Sequence, residues 1–84
     1  MPAGDRDPLS VILATPVTRT VFLHIANGEG DLARIVQRTR MLRPAAERAV
    51  KEFEAMGLVE QKDGKWAVTP TGAALRSDAQ KNLL

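Results

Sequence analysis

Val17, Val21, Phe22 and Ile25 recur at the three- and four-residue spacing of one helix face. Thr15-Pro16 opens the stretch with a capping side chain and a residue whose missing N–H costs nothing in a first turn, and Asn27-Gly28 stops it. After a Gly28-Glu29-Gly30 hinge, Asp31 caps a second helix. Its apolar stripe is Leu32, Ile35 and Val36, with Arg34, Gln37 and Arg38 facing away, and its end falls near Thr39 or Arg40. Met41-Leu42 lies in the connection. Arg43-Pro44 opens a third helix, 44–56, with Ala46, Ala49, Val50 and Phe53 on the buried side and Ala45, Arg48, Lys51 and Glu52 pointing away. Gly57 closes it, because glycine takes the left-handed conformation without a steric penalty.

The period then changes from helical to alternating. Residues 58–62 and 65–68 flank Asp63-Gly64, a dipeptide suited to the positive φ values of a tight hairpin turn. Thr69-Pro70 repeats the cap-plus-proline signal and starts a last helix through Leu75 and towards Ala79. At the other end, Asp7-Pro8 introduces a short element reaching Ala14. Residues 1–6 read as a flexible arm, 7–80 as one domain and 81–84 as a frayed terminus. The predicted fold class is α+β: a three-helix core, a two-stranded β-hairpin and a C-terminal helix.

Phe53-Glu54-Ala55-Met56-Gly57-Leu58-Val59-Glu60, then a short hairpin and Val68-Thr69-Pro70-Thr71-Gly72, resembles the winged helix-turn-helix regulators of the MarR-like and related bacterial and archaeal families. In them a helix ends in a Lys-Gly-Leu-Val-like phrase, the wing follows, and a Leu-Thr-x-x-Gly phrase opens the next helix. Here Met56 replaces the usual polar residue, while Gly57-Leu58-Val59 and Thr69-x-x-Gly72 stand in place, and the resemblance spans roughly residues 15–75. The stretch from Leu32-Ala33 to the third helix is a few residues longer than usual and the common turn glycine is absent, so either the second helix runs on or the turn loosens.

The resemblance implies a sequence-specific double-stranded DNA-binding protein, a transcriptional regulator with helix 44–56 in the major groove and the 58–68 hairpin as wing. It assigns Arg48 and Lys51, with Ala45 between them and the helix start, to base or phosphate contacts, and Arg43 to the backbone near that start. Arg38 and Arg40 become phosphate anchors in the turn, and Lys62 and Lys65 lie on the wing beside the duplex. Such regulators commonly pair, and the segments available here for a homodimer, or for completing the small core within one subunit, are 9–13 and 75–84. The rival reading is a winged-helix protein-interaction module, or an accessory subunit of a larger phage, plasmid or nucleic-acid-processing assembly. The acids Glu47, Glu52 and Glu54 on the third helix favour it.

Charge supports the DNA reading locally rather than globally. The net charge is only +2, yet from Arg34 to Lys51 six basic residues face one acid, a local +5 that leaves −3 for the rest. The competing view of that cluster is a solvated helix face, with Arg48–Glu52 and Glu47–Lys51 as stabilising i,i+4 pairs.

The other side chains that could carry chemistry read as structural. Trp66 is expected to pack on the core side of the hairpin rather than stack on a base, and His24 to be structural, with no second histidine or cysteine to share a metal. With no cysteine there is no disulfide, thiolate zinc site or redox centre, and no glycine-rich phosphate loop or nucleophile triad is present. An enzyme, a cofactor and a small-molecule effector are therefore not expected. The apolar runs are too short for a membrane span and the start lacks a basic secretion signal, which makes a cytoplasmic protein the expectation.

Overall fold

The computed structural model describes residues 8–81, with side chains placed through residue 77. The expected arm 1–6, the Asp7 cap and residues 82–84 lie outside the described residues. The elements run α1 (Pro8–Leu13), α2 (Pro16–Ala26), α3 (Leu32–Thr39), α4 (Arg43–Ala55), β1 (Val59–Lys62), β2 (Lys65–Val68) and α5 (Pro70–Lys81). This is a small α+β protein, five helices and a two-stranded antiparallel hairpin, in a layout consistent with a winged helix.

Local chemistry explains most boundaries. The Thr15 hydroxyl accepts from the Thr18 N–H while the Thr18 hydroxyl accepts from the Thr15 N–H, each at 3.1 Å, a reciprocal cap in front of Pro16. Asp31 Oδ1 accepts from the Ala33 N–H at 3.0 Å and starts α3. At the end of α4 the Leu58 N–H donates to the Phe53 carbonyl and the Gly57 N–H to the Glu54 carbonyl, with Gly57 at φ +75°. That double closure satisfies the last carbonyls of α4 and turns the chain into β1. Asp63 at φ +52° and Gly64 at φ +78° make the two-residue turn, with Val59 facing Val68 and Gln61 facing Trp66.

The core draws its buried side chains from α1 to α4 and the hairpin, and Leu75 of α5 packs against it. Phe22 of α2 and Phe53 of α4 meet edge to face, with centroids 5.5 Å apart. Around them are Val21 and Ile25, Ile35 of α3, Ala46, Ala49 and Val50 of α4, and Leu58 and Val59 entering the hairpin. Trp66 is 8% exposed and belongs to this core, as its place on the inner face of the hairpin requires. His24 is half-buried in the last turn of α2.

Several expectations need correction. The core has a fourth helix: Val11 and Ile12 of α1 are buried in it, and Leu9 and Leu13 pack against it. Of the two uses expected for segment 9–13, its apolar side chains thus serve the one within the chain. α4 begins at Arg43 rather than Pro44 and ends at Ala55, with Met56 as its C-cap; β1 begins at Val59, one residue after the buried Leu58. α5 continues to Lys81, which is helical rather than frayed.

The turn between α3 and α4 is short, and α3 does not run on. Arg40 takes φ +57°, ψ +27°, the left-handed C-cap conformation a glycine would supply, and its N–H donates to the Val36 carbonyl at 2.8 Å. Among the described residues no helix is long and apolar enough to cross a membrane.

Candidate functional site

α4 is a 13-residue helix whose inner side is fixed by Ala46, Ala49, Val50 and Phe53. A helix with one face so anchored must present the opposite face outward, and here that face carries Pro44, Arg48, Lys51 and Ala55, all exposed. The hairpin stands beside it. Its position is set from below by Gly30, whose carbonyl accepts from the Trp66 N–H at 2.9 Å. A Cβ at Gly30 would lie 2.5 Å from the Trp66 carbonyl oxygen, so only glycine lets the α2–α3 connection lie this close to β2.

Between these walls lies a groove of about 680 Å³. Arg43, Glu47, Arg48 and Lys51 of α4 line one side, Asp31, Leu32 and Ala33 the start of α3, and Gln61, Gly64 and Trp66 the hairpin side. Lys51 Nζ sits 5.8 Å from the centroid of Trp66. That cation–π contact holds a positive charge over the seam between helix and hairpin. A second, shallower groove of about 310 Å³ runs along the other flank of α4, lined by Thr15, Val17 and Thr18 of the α2 start with Ala45, Ala49 and Glu52. Arg48 borders both grooves and takes part in no ion pair found among the described residues.

The fold brings together Arg43, Arg48 and Lys51 of the expected site residues. It does not bring in the others in the same way. Ala45 is half-buried and belongs to the flank towards α2, not to the groove beside the hairpin. Arg38 and Arg40 are exposed at the C-terminal end of α3, where a basic residue also complements the helix dipole. Lys62 and Lys65 are directly opposite each other in the last pair before the turn. The strand period of two puts them on the face opposite Gln61 and Trp66, so they rim the groove from outside rather than line it.

The expected Glu47–Lys51 pair is replaced by others. Glu47 pairs with Arg43, Nε to Oε2 at 3.1 Å, rather than with Lys51, and Lys51 lies 3.8 Å from Glu54. Lys62 lies 3.9 Å from Glu60. Sequence reasoning missed Gln61, which the alternation along β1 places on the Trp66 face, and saw Asp31 only as a cap. Among the described residues no three His, Asp or Glu side chains gather to hold a metal ion. Compared with known proteins, the chain matches no family model, no curated protein and no solved structure.

Proposed function

We propose that this chain is a winged helix-turn-helix domain that binds double-stranded DNA in a sequence-dependent manner, with α4 in the major groove and the β1–β2 hairpin as its wing, and that it acts as a transcriptional regulator. The observation that carries the reading is the outward face of α4, where Arg48 and Lys51 stand exposed beside a hairpin that itself bears Lys62 and Lys65. A helix of this length spans about 20 Å and has the diameter that a major groove accepts. Arg48, which makes no described ion pair, is suited to the two acceptors of a guanine edge, and Lys51 to a phosphate or base oxygen. Arg43 opens α4, and Arg38 and Arg40 lie at the end of α3 just before it in the chain, positions suited to phosphates flanking an inserted helix.

Titration of the protein onto a labelled mixed-sequence duplex at several salt concentrations tests this, with an Arg48→Glu, Lys51→Glu variant beside it. The expected result is an affinity that falls steeply with salt and is lost in the variant. A folded sample that binds no duplex at low salt would overturn the reading. It would favour the protein-interaction module, for which Glu47, Glu52 and Glu54 on α4 are the supporting observation.

A further inference from the structure

The exposed acids on α4 and β1 have no structural task that accounts for them. Glu47, Glu54 and Glu60 neutralise no buried charge, and exposed ion pairs add little stability. Yet their basic partners are Arg43, Lys51 and Lys62, three of the seven basic residues assigned to the interface above. In each case the acid lies on the same element as its base, four, three or two residues away, so helix and strand geometry builds the pairing in. Arg48 takes part in no ion pair found among the described residues.

We propose that Glu47, Glu54 and Glu60 are specificity-determining residues that restrain non-specific binding. This rests on the DNA-binding reading. Affinity for duplex in general comes from cations that displace counterions at phosphates. A cation already facing a carboxylate contributes less to that exchange, and the carboxylate repels the polyanion besides. On a matching site, α4 seats closely enough for a fixed base or phosphate oxygen to replace the carboxylate as the partner of Arg43 or Lys51. On other sequences it does not. Discrimination is a difference between two affinities, and these acids lower the unwanted one.

The test compares wild type, the Glu47→Gln, Glu54→Gln, Glu60→Gln triple variant, and the single variants Glu47→Gln and Glu29→Gln, whose net charges are equal. Glu29 takes part in none of the described ion pairs and serves as the charge control. Each protein is titrated by fluorescence anisotropy onto a mixed-sequence duplex across a salt series, and onto the duplex that wild type selects from a randomised pool. Thermal melts confirm that the variants fold.

The triple variant should bind mixed-sequence duplex about tenfold more tightly at low salt, with a log–log salt slope steeper by roughly 1 to 3, since each added phosphate contact contributes about 0.9. Its preference for the selected duplex should fall by about the same factor, and Glu47→Gln should move in this direction further than Glu29→Gln. A triple variant that binds like wild type, or equal effects from Glu47→Gln and Glu29→Gln, would overturn the proposal while leaving DNA binding intact. If neither wild type nor the triple variant binds duplex at low salt, the DNA reading itself fails and takes this one with it.

Discussion

Replacing Gly72 with alanine tests how α5 is fastened to the start of the hairpin. A methyl group at Gly72 would overlap the carbonyl oxygen of Leu58 and lie 3.1 Å from its carbonyl carbon and 3.4 Å from its Cα. All three are backbone atoms, so no rotamer change relieves the overlap, and the two segments must separate by roughly 1 Å to regain van der Waals distance. Three hydrogen bonds join them or support the junction. The Thr69 N–H donates to the Leu58 carbonyl at 3.0 Å, the Thr69 hydroxyl to the Gly57 carbonyl at 2.6 Å, and the Gly72 N–H to the Thr69 hydroxyl at 3.1 Å. At a net value of about 0.5–1.5 kcal/mol each, their weakening outweighs the gain of up to about 1 kcal/mol from alanine's helix propensity. The expected net loss is about 2–3 kcal/mol, which for a domain of this size lowers the melting temperature by about 10–20 °C. Urea unfolding followed by far-UV circular dichroism measures it. Ala73→Gly is the companion variant, at an exposed neighbour where only propensity acts, with an expected cost of about 0.5–1 kcal/mol. If Gly72→Ala is as stable as Ala73→Gly or more so, the close approach is refuted.

Two further substitutions probe the turn that leads into α4. At Arg40, whose φ is +57°, glycine should leave stability within about 0.5 kcal/mol of wild type, because relief of left-handed strain offsets added unfolded-state entropy. Valine there should cost about 1 kcal/mol or more, and equal melting temperatures for the two variants would contradict the left-handed assignment. Leu42, the N-cap of α4, is 77% exposed and makes no side-chain cap bond, so Leu42→Ser should raise stability by about 0.5–1 kcal/mol in the same urea assay. An unchanged or lowered unfolding midpoint would mean that Leu42 has a packing role that its exposure does not reveal.

What could be read from the sequence follows how local the deciding physics is. Thr15-Pro16, Asp31 and Asp63-Gly64 announce themselves because a cap or a tight turn is decided within four residues, and all three form where expected. The start of α4 was misplaced by one residue because Leu42 carries no capping side chain. α1 was visible as a short element, but the run Val11-Ile12-Leu13 has no polar break, so nothing showed which side it would bury or whether it would complete this core rather than pair with a second copy. The left-handed Arg40 was hidden because the usual signal is a glycine. In the site, the helical period separated the outward Arg48 and Lys51 from the core residues. It could not show that α2 would cover the flank bearing Ala45, or that Glu47 would pair with Arg43 and Lys51 with Glu54 instead of with each other. Those outcomes depend on where neighbouring elements pack and which rotamers they permit.

Trp66 is the sole tryptophan, and the chain has no tyrosine. Its indole is buried at the seam where the hairpin meets α4, with Lys51 above the ring and the Gly30 carbonyl holding its N–H of the main chain. Intrinsic emission from the folded protein therefore originates at one known point, and it reports the docking of the hairpin while circular dichroism reports the helices. Coincident denaturation curves from the two signals would mark a single cooperative unit. An emission change that precedes helix loss would instead make the hairpin a separately opening unit, and would give its opening free energy without any label being attached.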